Sequence, residues 1–494
     1  MDIDLFKIPN NLDRVLRDHK GPIVTRFPPE NSGYLHIGHV KAIFINYVIA
    51  KKYNGKMVLR FDNTNPVTES QEFEDKIKED IETLQVVPDS TTYSSDYFDL
   101  LIKFAEDLII NHKAYVDITP KKLMKEQRWQ NIESTYRNNT VEQNMELWQK
   151  MKEGLLISST LRIKIDMKHS NANCRDPTIF RYINKPHHRT GDKFKVYPTY
   201  DFTCPIIDSV EGITHAFRSV EYQDREEQYN FILDTLNLRK PQVFCYGKVK
   251  IENVVLSKRK IKALIEKGVI TSWEDPRLFT LRGLLNHGFH LQALKQFVAT
   301  LGFSSKTPPI MSPIKLYSIN RKIVDKIATR YTCVPKDNYK EFKINGFNNK
   351  IDGTKEIQRW SRNPELGKRI LEYSDTVLIS NDECNAFTIN EEITLMNWGN
   401  VHVIVNVNDS ELTLNLDGDF RLTSKKVPWV SKNTVEVRID KYTGYDPCVS
   451  TFYIGEGQLL NIKKGDYVQF IKMNYYMCTD IDKVNRKVSF IELD

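Results

Sequence analysis

Two imidazoles three residues apart, His36 and His39, follow a short apolar run (Ile23, Val24, Phe27) and the loop PPENSGYL, stiffened by two prolines and loosened by a glycine. A strand, such a loop and then histidines on the first turn of a helix suit a polyphosphate. A helix N-terminus presents aligned N–H groups and the positive end of its dipole. Each imidazole adds a donor that can track phosphate charge, and Gly38 leaves bare backbone where a flat base could press. Downstream, Val255-Leu256-Ser257-Lys258-Arg259 offers an ammonium, Lys258, that can neutralise charge building on a departing pyrophosphate. A basic run this short is common in solvated loops; its position after the histidine motif and a second sheet segment gives it meaning. Arg26, Asp62, Tyr200 and Arg218 fall at or just beyond the ends of expected strands. Asp62 suits an α-ammonium, Tyr200 offers a phenol to a carboxylate, and Arg26 and Arg218 offer planar forks. An amino acid with a second carboxylate requires that surplus of cationic donors.

The elements that position these residues follow from periodicity. Val40, Ile43, Phe44, Tyr47 and Val48 recur at helical spacing after His39, and Asn54-Gly55 should stop that helix. A strand over 57–61 completes a βαβ unit that delivers Asp62 to the carboxyl edge of a parallel sheet, where ligands bind. An amphipathic helix carrying Phe73, Ile77, Ile81 and Leu84 follows. Residues 105–196 change character: Lys-, Glu- and Gln-rich helical patterns alternate with short strands such as 161–165, and the stretch ends in the basic KPHHRTGDKFK. The sheet pattern resumes at 197. The expected division is therefore a nucleotide-binding domain in two halves (1–104 and 197–259), an insertion (105–196), a helical subdomain (260–334, broken at Asp275-Pro276 and Gly288) and a β-rich end (335–494). In the last, Val401, Val403, Val405 and Val407 alternate with His402, Ile404 and Asn406. Leu412, Leu414 and Leu416 continue after a turn at Asn408-Asp409, and Val435, Val437 and Ile439 repeat the period. Lys464-Gly465-Asp466 is a turn before another strand. This reads as one or two barrels.

The block RFPPENSGYLHIGH, with Lys41 after it, resembles the HIGH signature of class I aminoacyl-tRNA synthetases, in the glutamyl and glutaminyl branch of archaeal and eukaryotic cytosolic type. Asn31 stands where many relatives carry proline. The 255–259 segment resembles the KMSKS loop of that family, with Val255 and Leu256 replacing its first two residues. DPRLFTLRGLLNHGF and KLYSINRKIVDKIATRY are similar to its helical subdomain. The resemblance implies an α/β fold: a Rossmann-like parallel-sheet catalytic domain split by an acceptor-binding insertion, then a helical subdomain and all-β anticodon-binding barrels. It implies that His36, His39 and Lys258 serve catalysis. Arg26, Phe27, Pro28, Asp62, Tyr200 and Arg218 would hold L-glutamate. Glu30, Ser32, Gly38, Lys248, Val255, Leu256, Ser257 and Arg259 would join them around ATP. Glu221 either meets the nucleotide ribose or base or simply pairs with a neighbouring cation. Mg²⁺ would travel with ATP.

In HAFRSVEYQD, Arg218 occupies the position where glutamyl enzymes carry arginine and glutaminyl relatives an uncharged residue. A guanidinium facing a neutral amide is a buried unpaired charge costing roughly 3–5 kcal/mol, or a discrimination of about 10²–10³. The implied reaction is ATP-dependent charging of tRNA(Glu) with glutamate through a glutamyl-adenylate. The alternatives are glutamine charging, a catalytically silent tRNA-binding relative, and a shortened paralogue that glutamylates a modified base, although such paralogues lack a β-rich half.

Composition agrees with a protein of this kind. At 494 residues the chain is long enough for about three or four domains. A net charge of +7 does not by itself demand nucleic acid. The basic clusters at 185–195 and 421–426, each beside aromatics, are candidate RNA contacts. Seven scattered cysteines without a C-x-x-C pair imply reduced thiols, a cytoplasmic setting and no structural zinc. No stretch has the length and apolarity of a membrane span or a targeting segment. A monomer is expected. Many eukaryotic relatives carry a protein-interaction domain ahead of the catalytic sheet, and here that docking route is expected to be missing.

Overall fold

The computed structural model describes residues 6–303, 310–347, 353–405, 410–415 and 417–493. It forms two compact units. One contains the chain through Leu264 with Phe279–Leu281 and Val298–Ser312; the other contains Ile265–Leu278, Arg282–Phe297 and the chain from Pro313 onward.

In the first unit, α1 (Asn10–Asp18) precedes β1 (Val24–Phe27), α2 (Ile37–Lys52), β2 (Lys56–Phe61), α3 (Gln71–Thr83) and β3 (Ser90–Tyr93). The three strands are parallel, in the order β1-β2-β3. Helix α2 is apolar on nearly every face and correspondingly buried: Val40, Ile43, Phe44, Ile45, Val48 and Ile49 are all inaccessible to solvent. Each such side chain contributes roughly 1.5–3 kcal/mol by leaving water, so the helix is a core element rather than an amphipathic surface one. It ends at Lys52, with Asn54 in the left-handed region at φ +50°. Gly55 then meets β1 edge-on; a Cβ there would lie 2.0 Å from the Ile23 carbonyl oxygen, so only glycine lets the chain turn into β2.

The chain next leaves this sheet. Helix α4 (Phe98–Ile110) leads into a four-stranded antiparallel sheet of β4 (Ala114–Asp117), β5 (Thr160–Ile163), β6 (Thr178–Tyr182) and β7 (Val196–Pro198), in that order. Helices α5 (Lys121–Gln130) and α6 (Val141–Glu153) lie within the excursion. Trp148 of α6, Phe180 of β6 and Phe98 of α4 share one core, and a buried Arg162–Asp117 pair (2.7 Å) braces the sheet. The expected boundary at residue 105 falls inside α4, and that at 259–260 falls inside α9 (Lys258–Glu266). Both helices run through those positions without a break.

Helix α7 (Tyr200–Val210), β8 (His215–Ser219), α8 (Glu226–Thr235) and β9 (Gln242–Tyr246) return to the first sheet. Strands β8 and β9 are parallel. Thr214 joins them to β1, its N–H donating to the Val24 carbonyl (2.9 Å) while its Oγ1 accepts from the Val24 N–H (2.8 Å). The strand order is therefore β3-β2-β1-β8-β9, and it reverses between β1 and β8. That reversal opens a crevice at the carboxyl ends of the strands.

One carboxylate ties the halves together. Asp208 of α7 is fully buried. It accepts from Arg26 Nε on β1 (3.0 Å), Arg60 Nη1 on β2 (2.6 Å) and the Tyr229 hydroxyl on α8 (2.9 Å). Arg60 also reaches Glu211, and Arg26 Nη1 donates to the Phe217 carbonyl on β8 (2.9 Å). Burial alone would raise the Asp208 carboxyl; the two guanidinium groups reverse this and hold it at about 2.

In the second unit two seven-stranded mixed sheets form. One has strands 329–331, 467–470, 475–482, 487–493, 434–441, 449–456 and 333–335 in that order; the other has 426–427, 392–395, 399–405, 410–415, 339–345, 376–380 and 430–431. Val401, Val403 and Leu412 enter one core and Val435, Val437 and Ile439 the other, so the period-two reading resolves into two separate barrel-like bodies. The residues expected at 406–409 and Leu416 lie outside the described residues. Gly465, at φ +90°, makes the turn before 467–470.

Two stability outcomes follow. Gly55→Ala should lower the urea midpoint by the equivalent of about 3 kcal/mol, since overpacking against backbone cannot relax; an unchanged midpoint would contradict the close approach. Asp208→Asn should cost about 3–5 kcal/mol, because it leaves two buried guanidinium groups without their counter-charge. Because the folded carboxyl sits at about 2 against an ordinary 3.8, its contribution is fully present above the ordinary value and is lost as pH falls toward the folded one. Acid-unfolding curves of wild type and variant should converge there and separate above it.

Candidate active site

A cavity of about 630 Å³ occupies the crevice, lined by β1, the loop after it, the start of α2, the ends of β2 and β8, and the segment after β9. It brings together Arg26, Phe27, Pro28, Glu30, His36, Gly38, His39, Asp62, Tyr200, Arg218, Glu221, Lys248, Leu256, Ser257 and Lys258 from the sequence expectation. Ser32 sits behind the wall and touches Lys258. Val255 and Arg259 are not on the lining, and Arg259 is exposed.

His36 is the N-cap of α2. Its Nδ1 accepts from the Gly38 N–H (3.0 Å), and the Nδ1 of His39 accepts from the His36 N–H (3.1 Å). This is a capping box made of imidazoles, and the rings lie 3.8 Å apart. With both Nδ1 atoms accepting, the neutral rings carry their protons on Nε2. Burial, followed by Lys258 and Lys248, pushes His36 down to about 3. Burial, followed by His36 and Lys258, pushes His39 well down as well. The pair are therefore neutral donors. Gly38 has a second reason to be glycine: a Cβ would lie 2.8 Å from the His36 ring and break the cap.

The cavity has two poles. At the cationic pole Arg218 is 4 % exposed, stacks over Tyr222 (5.0 Å) and Tyr229 (5.1 Å), and has buried Nε and Nη1 donors without a hydrogen-bond partner. Tyr200 stands beside it, its phenol pushed well up by burial and then by Cys204. Arg26 lines the same wall, but its Nε is committed to Asp208 and one Nη1 position to Phe217. Its Nη2 also donates to Cys204 Sγ (3.7 Å), so it is as much a brace as a ligand group.

At the acidic pole, burial and then Glu30 push Asp62 up to about 7. Burial and then Asp62 push Glu69 up to about 9. Arg181 reaches in from β6 of the insertion, donating to the Thr64 carbonyl (3.4 Å). Lys258 closes the mouth, donating to the Glu30 carbonyl (2.8 Å) and Ser32 Oγ (3.1 Å). Lys248 and Glu221 pair with each other at the rim (2.7 Å).

Several lining residues escaped the sequence reading: Glu69, Arg181, Tyr222, Arg225, Tyr246 and Lys41, the last donating to the Gly247 carbonyl (2.7 Å). Arg60 and Asp208 had a readable signal, since each is a charge set within an apolar run, the other charge of its element (Lys56 of β2, Asp201 of α7) lying at the element's start. Glu69 had none, because in sequence it is one of several acids around the start of α3, just ahead of Glu72 and Glu74.

The basic cluster at 185–195 is largely engaged within the fold. Lys185 donates to the Val67 carbonyl, Arg189 pairs with Asp96, Lys193 with Asp99, and Lys195 donates to the Glu153 carbonyl. In the 421–426 cluster, Lys425 pairs with Glu391 and Lys426 bonds Thr423, while Arg421 lies exposed over Phe420. Among the described residues two groups have metal-ligand types close together. In one, both His187 nitrogens are hydrogen-bonded to backbone. In the other, His169 Nδ1 accepts from the Asn171 N–H, which leaves a proton on Nε2 facing Glu227.

Comparison with known proteins agrees with this geometry. Residues 22–326 match the family described as tRNA synthetases class I (E and Q), catalytic domain, and residues 328–420 match its anti-codon binding domain. A probable cytoplasmic glutamate–tRNA ligase of Encephalitozoon cuniculi is 40 % identical over 92 % of this chain and 74 % of its own length. The cytoplasmic glutamate–tRNA ligase of Saccharomyces cerevisiae is 35 % identical over 98 % and 72 %. The mouse bifunctional glutamate/proline–tRNA ligase is 38 % identical over 93 % of this chain, which spans only 32 % of that longer protein. Among solved structures, a glutamate tRNA ligase of Elizabethkingia meningosepticum has a TM-score of 0.42 at 16 % identity, covering 62 % of this chain and 70 % of that one. With its imidazole-capped helix, its divided parallel sheet and both family domains in order, the chain belongs to the class I tRNA synthetases of the E and Q branch.

Proposed function

We propose that this chain is a glutamate–tRNA ligase working in the cytoplasm, and that the observation carrying this reading is Arg218. A buried guanidinium with two unpartnered donors, across a cavity from an acidic pole, suits an amino acid whose side chain ends in a carboxylate. A glutamine amide would leave that charge without a counter-ion. The relatives named as cytoplasmic glutamate–tRNA ligases support the same assignment. Among the described residues no helix is long and apolar enough to cross a membrane.

In this reading glutamate lies with its γ-carboxylate on Arg218, supported by Tyr200 and Arg26, and with its ammonium toward Asp62. ATP enters with Mg²⁺ over α2. The glutamate α-carboxylate attacks the α-phosphate and pyrophosphate leaves. The Nε2–H groups of His36 and His39 donate to phosphate oxygens as charge grows there, and Lys258 exchanges the Glu30 carbonyl for the same charge. Neutral donors suit the task, because they stabilise developing anion without repelling Lys258. The terminal ribose of tRNA(Glu) then takes the acyl group by its 2′-hydroxyl. Positioning and charge carry the reaction, and no protein nucleophile takes part. The C-terminal sheets bind the anticodon.

Arg218→Cys should lower kcat/KM for glutamate about a hundredfold or more while sparing ATP binding; a loss under about threefold would remove the pocket assignment. For the histidines, nitrogen-15 NMR of the folded protein should show two Nε2–H tautomers that do not titrate between about pH 8 and pH 5. The sign follows from their depressed values: both rings stay neutral, and their stabilisation fades only as pH falls below the ordinary histidine value. Either ring titrating near that value would refute the capping-box account.

A further inference from the structure

The acidic pole holds one carboxylate more than the reading above uses. Glu69 is 8 % exposed and lines the cavity beside Asp62. Its Oε1 accepts from the Asn65 N–H (2.9 Å), while Oε2 is buried without any donor. A buried carboxylate oxygen that lacks a donor is costly unless it is protonated or awaits a cation. The groups facing it are Asp62 at the end of β2, Glu30 in the loop after β1, Arg181 on β6 and Lys258 at the start of α9, with His187 and His188 from the segment after β6. None of these supplies Oε2 with a hydrogen bond. Lys258 is held by Glu30 and Ser32, and His187 by the Asn63 carbonyl and the backbone at 189–190. His188 lies nearest Glu74 (3.6 Å).

We propose that Glu69 is a second carboxylate for the substrate ammonium, holding a proton in the free protein and releasing it to solvent as the ammonium settles between it and Asp62. The inference rests on the reading of the cavity as an amino-acid site. An ammonium has three N–H donors; Asp62 and Glu69 would take two of them from different elements, the end of a strand and the turn before α3. Before the ligand arrives, two neighbouring buried carboxylates cannot both ionise, so one keeps its proton. The arriving cation makes both anions favourable. Amino-acid binding is then linked to proton release and tightens as pH rises through the range in which free Glu69 is protonated.

The test is calorimetric titration of a glutamyl-sulfamoyl-adenosine, an unreactive adenylate mimic, in phosphate and in Tris at about pH 7.5, where the buffer dependence of the heat counts protons. Wild type should release about one proton more than Glu69→Gln, and a mimic lacking the α-amino group should abolish that excess in wild type. If Glu69→Gln does not fold, Glu69→Asp keeps the carboxylate and should retain the release with about tenfold weaker binding. Equal proton counts for wild type and Glu69→Gln, or for mimics with and without the amino group, overturn the role of Glu69. Failure of the complete mimic to bind wild type, with or without tRNA, overturns the amino-acid site itself, and this proposal with it.

Discussion

A buried carboxylate between two guanidinium groups organises the catalytic unit. Asp208 accepts from Arg26 and Arg60 on neighbouring strands while sitting on a helix more than 140 residues further along the chain. A buried ion pair contributes little net stability when its desolvation is counted, and removing one partner is expensive. The arrangement therefore acts through geometry. It fixes the register of the returning half against the first half, and it holds Arg26 in the cavity wall, where its other nitrogens bond the Phe217 carbonyl and Cys204 Sγ. The reversal of strand order between β1 and β8 opens the crevice, and Asp208 holds its two sides at a set distance.

That crevice carries charge of opposite sign at its ends. Arg218 with its aromatic neighbours forms one pole; Asp62, Glu69 and Glu30 form the other; between them two neutral imidazoles cap a helix. In the proposed reading, a dipolar amino acid with an acidic side chain fits such a field in a single orientation. The neutrality of the histidines belongs to the same logic. A charged pair beside Lys258 would repel it, and burial together with Lys258 and Lys248 keeps the protons off. The hydrogen bonds of the cap then decide which nitrogen of each ring is left free to donate. Glycine at 38 serves that cap directly, because a methyl group there would displace the His36 ring.

Charge runs in the sequence leave open how each cation is engaged within the fold. The lysines and arginines of 185–195 read as a nucleic-acid stripe, yet in the fold most are tied to carbonyls and acids of the first unit. A run of cations is visible locally, but whether each finds an internal partner depends on chain that lies far away in sequence.

The sequence by itself determined the parts that rest on local physics. The βαβ unit, the histidine turn and the period-two region follow from side-chain spacing within a short window, where helix and strand periods and capping chemistry act, whereas Lys258, which opens α9, and Arg218 were singled out by resemblance to the family's motifs. The boundaries at 105 and 259 did not follow, because a helix continues wherever its own hydrogen bonds and packing allow, regardless of a change in composition. Only the tertiary structure decided that Arg26 would be half committed to Asp208, that Glu69 would lose its water and that Arg181 would reach the cavity from the insertion. Desolvation and ion pairing depend on what surrounds a group in space, and here those surroundings come from segments distant in the chain.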